Sequence, residues 1–379
     1  MLKVLHIADD HFKADRLSEC VSCFDYIVQF TAENQPDLII HAGDLFEKNT
    51  MINSLEFRAA VRGMMALANI ATVFMIRGNH DPDNALDVFE KLNTVHRICY
   101  SDRIQTIGFT EKYGKLKNVK ILSIPYIFPS EIGSGDDIGK INISGAGYLK
   151  DEINRFIKHS AKPDTINLIV AHITVVGAEL ANSERILEGE IMLSPDDFDH
   201  KAIDGVLLGH IHKAQQDIFD GTNIRYSGAH YRTRFDEIGS PGFNFWKFHD
   251  NGKTEIEFIE TPAREMHQYD FDEEETKKIM STGELPFEIP NDADIKVVFS
   301  VPEGMSSMLD KEKIRSLCPG NSTLKLNTKT IPKVVVRSEK MADAKTDLDK
   351  LKEWGRVTKN KITKSIIDKF NLVVTVADE

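Results

Sequence analysis

Sulfur and long apolar runs are scarce in this 379-residue chain. The cysteines are four, Cys20, Cys23, Cys99 and Cys318. Cys20 and Cys23 form a single C-x-x-C with no second pair to complete a Cys₄ zinc site, and they fall in a stretch patterned as an amphipathic helix, so reduced thiols in a cytoplasmic protein are expected rather than redox or zinc chemistry. No run of 18 or more apolar residues occurs, which excludes a helical membrane span. Met1-Leu2-Lys3-Val4-Leu5 enters an apolar segment directly, with no charged n-region or cleavage site, so secretion is not expected. There is no internal repeat and no low-complexity segment. The net charge of −12 argues against a nucleic-acid partner, but it is unevenly spread. Residues 311–369 hold 16 Lys/Arg against 7 Asp/Glu, a local balance of +9, which leaves −21 on the rest.

What the chain does have is a recurrent pattern. Five short polar segments follow apolar runs: Asp9-Asp10-His11, Gly43-Asp44, Gly78-Asn79-His80-Asp81, Ala171-His172 and Gly209-His210-Ile211-His212. The runs Val4–Ala8, Leu38–Ala42, Thr72–Ile76, Ile166–Ala171 and Gly205–Leu208 read as buried strands, with helices at Leu17–Asn34 and Ser54–Ala68 between the first three. This is βαβ alternation, and open α/β sheets bind ligands beyond the carboxyl ends of their strands. Ala85–Leu92 reads as a short helix, and Ile104–Phe109 and Lys120–Pro125 as strands. Pro129–Gly147 reads as a long surface loop before a helix at Gly147–His159. Ile224–Ser227, Phe243–His249 and Thr254–Ile259 are expected to finish a second sheet. The expectation is an α/β fold with two packed sheets and helices outside.

Composition changes near Pro262. Glu273–Glu275 and Pro286–Pro290 read as a boundary. Ile295–Val301, Asp310–Leu317 and Thr323–Asn327 then make a strand–helix–strand unit, and helices follow at Met341–Trp354 and Lys361–Phe370, with Leu372–Val376 as an apolar β-branched tail. The expected domains are therefore 1–262, 263–335 and 336–379.

Asp9 and His11 are two apart, so on an extended strand end they share a side, and Asp10 points the other way. Asp44 follows a glycine that lets the chain turn sharply. The Asn79 amide oxygen can ligate a hard cation, and the adjacent His80 can reach a substrate phosphate or leaving group, with Asp81 placed to orient its ring. His210 and His212 are again two apart, and His172 stands alone. Each signal is weak by itself, but the fixed order, the repeated strand-end context and the complementary ligand types point to a site for two divalent metal ions. The carboxylate, amide and imidazole mix favours Mn²⁺, with Fe²⁺, Mg²⁺ and Zn²⁺ also compatible. Two ions about 3.5–4 Å apart activate water and clamp phosphate oxygens, so phosphate-ester hydrolysis is the indicated reaction.

The constellation resembles the calcineurin-like metallophosphoesterase superfamily over roughly residues 1–260. Leu5-His6-Ile7-Ala8-Asp9-Asp10-His11, Gly43-Asp44-Leu45-Phe46, and Tyr226-Ser227-Gly228-Ala229 followed by Phe235-Asp236-Glu237 resemble its SbcD-type DNA repair nucleases in particular. The resemblance implies a two-sheet metallophosphoesterase sandwich flanked by helices, a smaller α/β capping domain and C-terminal helices. It implies that Asp9, His11, Asp44 and His212 hold one ion, that Asp44, Asn79, His172 and His210 hold the other with Asp44 bridging, and that His80 serves the transition state. It further implies DNA as substrate, cleaved as a 3′→5′ exonuclease on duplex ends and an endonuclease on single strands and hairpins. An SMC-like ATPase of the SbcC type would be the partner, bound around 341–370. A homodimer in the cytoplasm, or in a host's cytoplasm for a viral member, completes the expectation, with no membrane partner.

The chain departs from the pattern at Asp10, at Phe12-Lys13 and at Glu47, where the family often has Asp or His. Three alternatives share parts of the logic. A protein Ser/Thr phosphatase would carry an arginine shortly after Gly43-Asp44, where Leu45-Phe46-Glu47-Lys48 stands. A cyclic-nucleotide or other small-substrate phosphodiesterase needs neither the capping unit nor the basic tail. A catalytically dead scaffold would have lost ligands, and all seven are present.

Overall fold

The computed structural model describes residues 1–48, 50–82, 86–110, 118–132, 138–180, 186, 189–215, 223–237, 239–304, 309–320, 322–331, 344 and 346–377. Ala85, residues 133–137 of the expected loop and Met341–Asp343 of an expected helix lie outside these.

Apolar residues alternate along the strands so that both faces of each sheet are buried. In Leu2–Ile7, Leu5 and Ile7 pack with Cys20, Phe24 and Ile27 of the helix Leu17–Asn34 and with Met64 and Leu67 of the helix Leu55–Ala68. Leu2 and Val4 face the other way, into a layer with Ile121, Leu168, Val170 and Leu207 of the second sheet. The outer face of that second sheet, with Ile169 and Leu208, is covered by Leu149, Ile153 and Phe156 of the helix Ile138–His159. The architecture is an α/β sandwich, two sheets face to face with helices outside. Among the described residues no helix is long and apolar enough to cross a membrane.

The first sheet runs in the order Thr254–Glu260, Gly242–Phe248, Leu2–Ile7, Leu38–His41, Thr72–Ile76, Ile98–Ser101. The last four strands are parallel, with Ile7 opposite His41 and His41 opposite Met75. The second sheet runs Ile224–Tyr226, Gly205–Gly209, Ile166–His172, Val119–Ile124, Gln105–Phe109, and its first four strands are parallel, with His172 opposite Gly209. Parallel register brings the carboxyl ends of neighbouring strands to the same height, so the segments after Ile7, His41, Ile76, Ala171 and Leu208 all emerge at one rim.

Several expectations are corrected. Gly242–Phe248 and Thr254–Glu260 do not finish the second sheet: Gly242–Phe248 pairs antiparallel with Leu2–Ile7 and extends the first. A pairing across more than two hundred residues leaves no local mark. The helix Ile138–His159 begins inside the stretch read as loop. Its glycines and serines have poor helix propensity, but the packing of Leu149, Ile153 and Phe156 outweighs that. Glu273–Glu275 is the first turn of the helix Glu273–Thr282, where a capping box between Asp272 and Glu275 fixes the start. The apolar tail Leu372–Val376 lies within the helix Lys364–Ala377.

The chain divides into two compact units. One comprises Met1–Gln268, Ile289–Lys296 and Cys318–Lys325; the other comprises Tyr269–Glu288, Val297–Leu317 and Leu326–Glu379. A third sheet runs Glu265–Phe271, Ala293–Pro302, Thr323–Ile331. In the second unit Val297, Phe299 and Val301 are buried, with Ile279 and Ile314 from the helices Glu273–Thr282 and Lys311–Arg315.

Candidate metal centre

The backbone turns out of its strands by an uncommon route. Asp9, His11, Asp44 and His210 have φ of 57°, 41°, 57° and 100°, and Gly43 has 97°. Left-handed φ is sparsely populated for non-glycine residues, and its concentration at one rim marks segments held by their surroundings. Those surroundings are visible. Asp9 N–H donates to Gly43 O at 3.0 Å, His11 N–H to Asp44 O at 3.1 Å and Phe12 N–H to Leu45 O at 3.0 Å, so the first two motifs continue as a paired ladder beyond their strands. Gly43 and Gly78 are required by closeness: a Cβ on Gly43 would lie 2.4 Å from His172 Nδ1, and one on Gly78 would lie 2.1 Å from Asp44 Oδ1.

These turns bring all seven expected ligands together. His172 Nε2 is 3.4 Å and His11 Nε2 3.6 Å from Asp44 Oδ2, which places that oxygen between the two imidazoles. Asn79 Oδ1 lies 3.0 Å from His172 Nε2 and 2.9 Å from His210 Nδ1. His212 Nε2 lies 2.9 Å from His11 Nε2. Ligand atoms of Asp9, His11 and His212 fall within 4.8 Å of one another, as do those of Asp9, Asp44 and His172. Asp9 thus sits in both groups, and its carboxylate also accepts the His210 N–H at 2.9 and 3.1 Å.

The outer partners of the imidazoles decide what faces inward. His172 places Nδ1 2.7 Å from Ala42 O, His210 places Nε2 2.8 Å from Glu190 Oε1, and His212 places Nδ1 2.7 Å from Glu237 Oε1. Each outer oxygen accepts a hydrogen, so the inner nitrogen of each neutral ring carries a lone pair. Lone pairs of His172 and His210 then converge on the amide oxygen of Asn79. Acceptors set against acceptors repel, and a cation between them converts repulsion into ligation. The residues therefore fit divalent metal ions on the chemistry of the donor set.

Electrostatics agree. Burial disfavours the charged form of Asp44, but His172, His11 and His80 outweigh it and hold the carboxyl far below its ordinary range. Burial would lower His172, yet Asp44 raises it to about 9, and a pull on a proton is equally a pull on a metal cation. His11 is lowered to about 3, by burial first and His212 second. Asp9 is raised, chiefly by burial.

His80 and Asp81 are arranged differently from the expectation. The His80 ring does not meet Asp81. Its Nδ1 lies 2.7 Å from Glu47 Oε1, and its N–H donates to Asp44 Oδ1 at 2.7 Å. Asp81 turns back into its own loop and accepts N–H groups from Gly78 at 2.8 Å and from Asp44 and Phe46 at 3.0 Å each. The reason is local: three backbone donors at the crossing of two turns need an acceptor, and Asp81 is within reach. Burial and then Asp44 push its carboxyl up to about 6. Sequence reading missed Glu47 as the partner of His80, and missed Glu190 and Glu237 behind His210 and His212. The one signal in the sequence was Glu47 standing three residues after Asp44.

The cluster floors a cavity of about 290 Å³ lined also by Lys48, Thr174, Ile186 and Arg234. Beside it, a recess of about 740 Å³ shares Thr233 and Arg234 and adds Arg16, Phe235, Lys296 and Lys325 to its wall.

Comparison with known proteins follows the same lines. A family model described as calcineurin-like phosphoesterase matches residues 2–214. The SbcD component of the nuclease SbcCD from Staphylococcus epidermidis is 25% identical over 295 residues, covering 72% of this chain and 74% of that protein. A solved dimetal phosphatase from Danio rerio is similar with a TM-score of 0.42 at 12% identity, covering 69% of this chain and 97% of that one.

Proposed function

Since the chain belongs to the calcineurin-like phosphoesterase family, we propose that it is a dimetal-dependent nuclease that hydrolyses DNA phosphodiester bonds. The observation that carries this reading is the convergence of seven donor side chains at one rim, with inner lone pairs fixed by outer acceptors. Asp9, His11, Asp44 and His212 hold one ion, and Asp44, Asn79, His172 and His210 hold the other, Asp44 serving both. When bound, two such ions lower the pKa of water and clamp phosphate oxygens. His80 borders the cavity without being a ligand, so it stabilises charge on the phosphoryl group or protonates the leaving oxygen, and Glu47 fixes its ring and tautomer. Glu190 and Glu237 orient His210 and His212 as carboxylates behind metal-ligating imidazoles.

A polynucleotide is favoured over a small diester by the recess that continues from the cavity. Its arginines, lysines and Phe235 suit a chain of phosphates and bases, whereas a cyclic nucleotide would leave it unused. Similarity to the SbcD component of an SbcCD nuclease supports duplex-end and hairpin DNA as substrates and an SMC-like ATPase of the SbcC type as partner. Residues 1–262 would form the catalytic domain, 263–335 the cap and 336–379 the basic ATPase-binding region, in a homodimer. The test is a Mn²⁺-dependent assay on end-labelled duplex and hairpin DNA beside a p-nitrophenyl diester, with and without an ATPase partner. Cleavage of the diester alone supports the small-substrate alternative.

A further inference from the structure

Asp10 stands between two ligand residues, is fully buried, and takes no part in the site described above. Its carboxylate lies 2.9 Å from His41 Nε2 through one oxygen and 2.9 Å from His230 Nδ1 through the other. Both imidazoles are themselves buried to within 1% of full. A charged group with two buried partners is costly to assemble and is retained where it fixes geometry.

Each partner leads to a different part of the centre. His41 is three residues before Asp44, and its Nδ1 accepts the Gly43 N–H at 3.3 Å. His230 follows Ala229, whose N–H donates to His212 O at 2.9 Å. Its Nε2 lies 3.2 Å from Cys20 O, and Cys20 Sγ lies 3.5 Å from Asp10 O, so the helix Leu17–Asn34 closes the network from behind. Asp10 itself separates Asp9 from His11, both in left-handed turns. The segments joined through this one carboxylate are those bearing Asp9, His11, Asp44 and His212, the complete donor set of the first ion. Asn79, His172 and His210 are reached by none of these bonds.

We propose that Asp10, with His41 and His230, is a positioning network dedicated to the first metal ion. It holds three chain segments in the register that ion requires and leaves the other three ligands to their own outer partners, Ala42 O and Glu190. The inference rests on the dimetal reading.

The experiment is Mn²⁺ titration of the full chain by calorimetry, with electron paramagnetic resonance to detect the coupled pair. Asp10→Asn and His230→Gln are compared with wild type and with Ile39→Val, a core change in the same layer that leaves the network intact. The wild type should bind two ions. Both network variants should lose about 10- to 100-fold at one site, keep the other within about threefold, and show uncoupled Mn²⁺ at intermediate occupancy. Ile39→Val should keep both sites whatever its melting temperature. His230→Gln keeps the test decisive if Asp10→Asn does not fold, since it alters no ligand-bearing segment. Two sites at wild-type affinity in the network variants overturn the inference and leave the dimetal reading standing, as do two sites weakened equally. Absence of Mn²⁺ binding by the wild type removes both.

Discussion

Glu47 and Asp81 make opposite demands on experiment, although either could have been the partner of His80. Glu47 Oε1 meets His80 Nδ1 at 2.7 Å, a charge-assisted bond of the kind that contributes about 1.5–3 kcal/mol. With its side chain 33% exposed to the cavity, the lower end applies. If that energy serves to hold His80 in its reactive orientation, Glu47→Gln lowers kcat about 10- to 30-fold, since about 1.4 kcal/mol is a factor of ten. Stability changes little, because no buried group is left without a partner. Asp81→Asn is the reverse. Its two oxygens accept three buried N–H groups, and an amide offers one oxygen and a donor, so at least one N–H faces an NH₂. An unmet buried donor costs about 1–3 kcal/mol, which lowers the melting temperature by several degrees. The assay is steady-state hydrolysis of a p-nitrophenyl diester at saturating Mn²⁺, with thermal melts of the same samples. A normal rate in Glu47→Gln, with a slow but fully stable Asp81→Asn, would return the orienting role to Asp81 and refute the reasoning.

His80→Ala should keep two bound Mn²⁺ by calorimetry while kcat falls by at least about a hundredfold, the scale of a lost general acid; an unchanged rate removes its assigned role. Gly43→Ala carries about 1–2 kcal/mol from its left-handed φ alone and drives a methyl to 2.4 Å from His172 Nδ1, so it should both melt earlier and bind Mn²⁺ more weakly. Glu237 is buried, which works against its charge, but His212 and Thr233 hold its carboxyl at about 2. A depressed carboxyl stabilises the fold above its ordinary value of 4.5, and that contribution is lost as pH falls from 4.5 toward 2. Denaturant midpoints of metal-free protein should therefore drop more steeply over that window in wild type than in Glu237→Gln.

The ligands were legible because each follows a strand, and parallel strands end together. Asp9, Asp44, Asn79, His172, His210 and His212 need no long-range information beyond that rule. The residues that hold them were not legible, for a physical reason. Glu190, Glu237, His41 and His230 act across turns and between sheets, at separations set by packing and not by period. Asp81 shows the same limit from the other side, since the residue adjacent in sequence satisfied the backbone while a more distant carboxylate took the imidazole. The strands Gly242–Phe248 and Thr254–Glu260 were found as elements but assigned to the wrong sheet, because their alternation is compatible with either edge.

Anomalous diffraction from Mn²⁺-soaked crystals tests the central claim most directly. Two peaks should stand on either side of the Asp44 carboxylate, one against Asp9, His11 and His212 and the other against Asn79, His172 and His210. An empty rim with these side chains well ordered would contradict it.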